Sequence, residues 1–146
     1  MTHFTTYTDG TPITRSSGSN AAGSPMPTML VGTFDASKRP LAAADTADVI
    51  DIPAGTFVHK VFYEVVLGDA TETLNIGDGD DPNGYVEAAA VGTTGANGMG
   101  AGALATGKYY GASGGKILIE VPALDALDVL QIRIVAFVAL IGLAPA

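Results

Sequence analysis

The chain has no cysteine and no tryptophan, and few basic side chains. Without cysteine, disulfides and thiolate metal sites are excluded. Without tryptophan, and with only five tyrosines and five phenylalanines in 146 residues, a deep aromatic-lined ligand pocket is disfavoured. Seven lysines and arginines stand against fifteen acids, a net charge of -8, so phosphate neutralisation is not a plausible mode of binding and no nucleic-acid partner is expected. Residues 1–20 are polar and lack the apolar centre of a secretory signal. The longest apolar run, Val129 to Leu143, is interrupted by Gln131 and Arg133. Its clean part, Ile134 to Ala144, is too short to cross a membrane as a helix, so a buried strand and no membrane partner are expected.

What is abundant is glycine, with 19 residues, and alanine, which together favour turns and tight packing of small side chains. The length suits one domain, large enough to hold a core without staples. Charge is uneven along it. Residues 1–45 carry three acids and three bases, leaving twelve acids and four bases for residues 46–146. The sequence therefore divides into a neutral arm and linker (1–45) and an acidic body (46–146).

Met1 to Pro27 is rich in Thr, Ser, Gly, Asn and Pro and has no sustained apolar period. Such a segment buries too little surface to offset its ordering entropy, so it is expected to be disordered alone or extended along a partner. Phe4, Tyr7 and Ile13 are spaced anchors within it, and the Pro25-Met26-Pro27 element pre-sets an extended backbone. Met29 to Phe34 reads as a short strand or docking segment, and residues 35–45 as a linker.

Alternation then predicts strands at Asp48–Ile52, Phe57–Leu67, Thr73–Ile76, Lys108–Tyr110, Lys116–Val121 and Asp128–Leu143. Tyr85–Val91 reads as either a strand or a helical turn. In the longest central strand Phe57, Val61, Tyr63, Val65 and Leu67 share one face, which also takes His59. In the last strand Leu130, Ile132 and Ile134 point inward, and beyond Ile134 both faces are apolar. That marks Val135, Phe137 and Ile141 as an oligomer interface, because small monomers rarely expose such a patch. Residues 92–107 form a Gly/Ala-rich loop of a length usually associated with function or mobility. Seven or eight short strands at regular spacing argue for an all-β fold, a β-sandwich or jelly-roll-like barrel with an extended N-terminal arm.

Few motifs carry chemistry. The loop GDGDDPNG at 77–84 fails as an EF-hand, since counting from Asp78 puts Asn83 sixth and Ala89 twelfth. A looser cation site at Asp78, Asp80 and Asp81 competes with a plain solvated turn, which these residue types favour. His3 and His59 have no second ligand at metal spacing, and His59 reads as a core or interface histidine. No serine sits in a nucleophile elbow, and the glycine-rich loop lacks the ending that cradles phosphate. No catalytic residues, metal or cofactor are expected.

Four segments, in order, carry a resemblance: TMLVGTFDA, LAAADTADVIDIPAGTFVHKVFYEVV, LNIGDGDDPNGY and GKYYGASGGKILIEV. Together they span about residues 28–140 and resemble small virion structural proteins of tailed bacteriophages, most nearly the capsid decoration or cement type. The resemblance implies a β-rich homotrimer on the capsid surface that clamps neighbouring copies of the major capsid protein from outside. Phe4, Tyr7, Ile13, Met26, Met29, Leu30 and Phe34 would then contact the capsid. Alternatives are a tail, neck or head-fibre protein, or a soluble carbohydrate-binding β-domain using Tyr85, Tyr109 and Tyr110.

Overall fold

The computed structural model describes residues 27–69, 73–122 and 126–142. Nine strands appear among them: β1 (Pro27–Asp35), β2 (Thr46–Ile52), β3 (Thr56–Leu67), β4 (Thr73–Gly77), β5 (Val86–Ala90), β6 (Asn97–Met99), β7 (Lys108–Tyr110), β8 (Gly115–Glu120) and β9 (Gln131–Leu140). All pairings are antiparallel. One sheet runs β1-β9-β3, with β6 and β7 side by side along the far edge of β3; the other runs β2-β8-β4-β5. The apolar inner faces close on each other, with Leu74, Ile76, Ile117 and Ile119 of one sheet and Val61, Val65, Ile132 and Ile134 of the other buried. The chain is an all-β sandwich, as its alternation indicates.

β9 owes its central place to composition. It is flanked on both sides, by β1 along nearly its whole length and by β3, so the longest apolar run of the sequence is a fully paired strand. No helix among the described residues is long and apolar enough to cross a membrane. β8 follows its pattern, with Ile117, Ile119 and the following Val121 buried. Tyr85–Val91 resolves to a strand, Val86–Ala90.

β3 departs from simple alternation. Val61, Tyr63 and Val65 face inward as expected, but Phe57 is only half-buried, His59 and Leu67 are exposed, and Thr56 and Val58 point into the core instead. The cause lies in two irregularities against β9, between Val58 and Lys60 and between Val65 and Leu67. Each β-bulge adds one residue, and one residue exchanges the faces. His59 is thus an outward residue, so of the two readings, core or interface histidine, the core one is corrected.

The segments flanking the body are built into it. β1 pairs residue by residue with β9 from Pro27↔Ala139 to Asp35↔Gln131. Gly32 on its inner face lies so close to Val49 of β2 that an added Cβ would overlap that residue's carbonyl oxygen, which is why the strand carries a glycine there. After β1, Ala36 and Leu41 are buried, and Leu41 exchanges backbone hydrogen bonds with Leu127 at 3.0 and 2.8 Å. The Gly/Ala-rich stretch 92–107 contains β6, which pairs with the middle of β3. Its small residues have a purpose: the Leu104 amide donates to the Gly84 carbonyl at 2.7 Å, and a Cβ on Gly102 would strike that same carbonyl.

Candidate interaction surface

The register of the larger sheet determines which side chains meet on its outer face. Val31 of β1 lies beside Val135 of β9, which lies beside Phe62 of β3, which lies beside Met99 of β6. The adjacent row reads Met29, Phe137, Lys60, and the next joins Ala139, Phe57 and Tyr109. Below them a polar row closes the stripe with Thr33, Arg133, Glu64 and Asn97, in which Arg133 donates to Glu64 at 3.0 Å. Met29, Val31, Met99 and Phe137 are 59, 57, 55 and 38% exposed. An exposed apolar face edged by polar residues makes this the candidate interaction surface of the described residues.

The opposite face has the reverse character. The exposed side chains of the smaller sheet include Asp48, Asp51 and Glu87, with Lys116 bridging Asp48 and Asp51 at 3.0 and 3.7 Å. Asn75 and Glu120 hydrogen-bond across β4 and β8 at 3.0 Å. The molecule is two-sided, with the apolar surface on the larger sheet and the carboxylates on the smaller.

The residues singled out from sequence fall into three places. Met29, Val135 and Phe137 belong to this outer face, and Ile141 lies just past the end of β9, exposed, its amide donating to the Gly55 carbonyl at 3.0 Å. Leu30 and Phe34 point the other way, partly buried against the core. Phe4, Tyr7, Ile13 and Met26 lie outside the described residues. Sequence reasoning did not find Val31, Phe62, Met99 or Tyr109 for this surface. Each sits on a different strand, and only the pairing brings them together.

The acidic loop is a clasp between the sheets. Asp78, 2% exposed, follows β4. Its Oδ1 accepts the amides of Asp80 and Asp81 at 3.0 and 2.9 Å, and its Oδ2 accepts the Lys108 ammonium at 2.5 Å and the Tyr110 hydroxyl at 2.8 Å. Both donors from β7 thus reach across to the loop of the other sheet. Burial pushes the Asp78 carboxyl up, but the bonds from Lys108, Tyr110 and the two amides outweigh it and hold it below the ordinary carboxylate range. For Lys108 burial pulls down, and its bonds to Asp78 and Asp80 outweigh that and raise it. Burial raises the Tyr110 hydroxyl, with bonds to Tyr85 and Asp78 adding to the effect. With both Asp78 oxygens occupied by the chain's own donors, the loop fits the turn reading better than a cation site. No group of three or more metal-ligating side chains occurs among the described residues.

The same clasp bears on sugar binding. Tyr85 and Tyr110 are buried with their hydroxyls 2.8 Å apart, so of the three tyrosines only Tyr109 is exposed, and its hydroxyl donates to the Gly142 carbonyl at 2.8 Å. The open cleft beside them, about 420 Å³, is lined by Lys108 and Lys116, which are already paired to aspartates. A platform of stacked aromatics is not formed there.

No protein-family model and no curated protein matches the chain. Solved structures do resemble it. A chain of the cyanophage Pam1 capsid asymmetric unit superposes with a TM-score of 0.62 at 20% identity, covering 92% of this chain and 97% of that one. A chain of the capsid of Ralstonia phage GP4 gives 0.58 at 18% identity over 90% of this chain and 94% of the other. The sandwich described here is the same fold as in those two capsid chains.

Proposed function

We propose that the chain is a structural protein of a bacteriophage virion, of the decoration or cement type, that seats on the outside of the major capsid shell and stabilises it by bridging neighbouring subunits. The observation that carries this reading is the apolar outer face of the larger sheet, on a domain that follows nearly end to end the fold of chains found in phage capsids. That face, with Met29, Val135 and Phe137, meets the shell. The arm, with Phe4, Tyr7, Ile13 and Met26, reaches a neighbouring subunit, and copies assemble as homotrimers whose several weak contacts add through effective concentration. The role needs no catalysis and no cofactor.

Two measurements test it. Mass spectrometry of purified virions made from the genome that encodes the chain should find it at many copies per particle. Co-sedimentation with capsids stripped of the native protein should show saturable binding. Absence from particles removes the reading, and presence only in isolated tails moves the protein to the tail.

A further inference from the structure

Open sheet edges invite pairing with other chains, and proteins guard them with charge, bulges or short length. Most edges here are guarded. β2 carries Asp48 and Asp51 and an irregularity at Val49; β5 has five residues; β6 and β7 have three each. β1 is different. It runs for nine residues in unbroken register with β9, and has no charged side chain before Asp35. Among the described residues no strand pairs with its outward edge. Its inner face packs on the core but leaves apolar area uncovered, and its outer face is open. Met29 and Val31 are exposed outside, and Leu30 and Phe34 are only partly buried inside.

The chain contains a segment suited to that edge. Thr2 to Thr8 (THFTTYT) consists of threonines, two aromatics and a histidine, residue types enriched in strands apart from the last. Phe4 and Tyr7 have opposite parity, so in a strand they fall on opposite faces. One would extend the outer row beyond Met29 and Val31, and the other would complete the inner row beyond Leu30 and Phe34. Eighteen residues separate Thr8 from Pro27. Hairpin connections take about two to five. The residues that a direct hairpin would lay on β1, Arg15 to Ser24, are rich in Gly, Ser and Asn and poor in strand propensity. Fully extended, the connection spans up to about 60 Å, roughly twice the length of β1, which suits a reach to another molecule.

We infer that Thr2–Thr8 of one copy adds as a strand to the open edge of β1 of a neighbouring copy. The contact is head-to-tail, so it closes into a ring where the rotation between copies divides a full turn and otherwise extends as an open filament. This rests on the assembly of copies proposed above and names the joint between them.

The absence of cysteine makes the test clean. One cysteine is placed in the arm of the full chain (Thr5→Cys or Thr6→Cys, to sample both faces) and one on the outer side of β1 (Met29→Cys, Val31→Cys or Thr33→Cys). The isolated protein is oxidised without capsids, its fold is checked by thermal melting, and it is run on a non-reducing gel. At least one pairing should give disulfide-linked multimers that reductant returns to monomers. Phe4 and Tyr7, of opposite parity, point their amides to opposite sides of the strand. One of Phe4→Pro and Tyr7→Pro therefore removes a ladder amide and should abolish that cross-link, and a cross-link that survives both would overturn the inference. A disulfide closed within single chains would place the arm on its own β1 and overturn the inference. Folded chains with no cross-link in any pairing would overturn it too. Capsid binding is read separately: cross-linked multimers that ignore capsids would keep the joint and remove the virion role.

Discussion

Met29 and Phe137 stand directly opposite each other on β1 and β9, both with their side chains on the outer face of the larger sheet. From sequence the first belongs to a capsid contact and the second to an oligomer interface. The register makes them neighbours, so one surface serves whatever contact either residue makes. Cross-strand apolar pairs of this kind add only tenths of a kcal/mol to about 1 kcal/mol to the sheet itself. The double substitution Met29→Ser/Phe137→Ser should therefore melt within a few degrees of the native chain yet lose at least tenfold in affinity for stripped capsids by co-sedimentation. Unchanged binding would take this face out of the contact.

Ile132 makes the opposite prediction. It is 1% exposed, on the central strand β9, between Phe34 of β1 and Val65 of β3. Ile132→Asp should abolish the cooperative melt, because an unpaired buried carboxylate costs several kcal/mol, comparable with the stability of a domain. A melt near the native temperature would contradict the burial.

The Asp78 clasp makes stability depend on acid. Its carboxyl is held below the ordinary value by the bonds that outweigh burial. A depressed carboxyl contributes stability that is present above the unfolded value, about 3.9, and is lost as pH falls through the folded one. Chemical denaturation should thus show stability falling steadily from about pH 4 downward. Asp78→Asn should flatten that slope and lower stability at neutral pH, since Lys108 and Tyr110 lose a charged acceptor. An identical acid profile in the variant would assign the slope to other carboxylates.

Ala88 holds a left-handed backbone with φ of 52°, fixed where its amide donates to Asn75 Oδ1 at 3.0 Å beside the irregularity in the β4–β5 pairing. That conformation costs an alanine about 1–2 kcal/mol, more than the roughly 0.4–1 kcal/mol of extra chain entropy a glycine brings to the unfolded state. Ala88→Gly should raise the melting temperature by a few degrees. A lower one would mean that the Ala88 methyl makes contacts worth more than the strain.

Truncation separates the arm from the sheet. Removing residues 1–26 should leave a cooperative melt but release the copies from one another in sedimentation. Removing residues 1–35 takes β1 away and exposes the flank of β9, so it should give an insoluble or unfolded chain. Equal behaviour of the two truncations would show that β1 adds nothing to the domain.

Much of the fold is written in period-two patterns. Ile117, Ile119 and Val121, or Leu130, Ile132 and Ile134, alternate so regularly that both the strand and its inward face follow from the spacing alone. Where the pattern misleads, a single inserted residue is responsible. His59 sits among apolar neighbours at inward parity, and nothing local distinguishes a bulged residue from its neighbours. The candidate surface is legible only in part. Phe137 and Val135 announce themselves because both parities of β9 are apolar there, whereas Val31, Phe62 and Met99 look like ordinary strand and loop residues until pairing aligns them. Pairing is a long-range property, set by β1 crossing over β2 at Gly32 and by a three-residue strand inside a loop of small residues.

The division of character between the two sheets has a consequence for any crowded layer of these molecules. If the apolar side is turned inward against a support, Asp48, Asp51 and Glu87 are turned to solvent on every copy. The coated object then acquires a regular anionic skin whatever the charge beneath it. Two such objects repel at separations of about 10 Å at an ionic strength near 0.1 M, and more salt shortens that reach. Colloidal spacing of whole particles would in this way be set by the surplus of three carboxylates over Lys116, all outside both the core and the apolar contact.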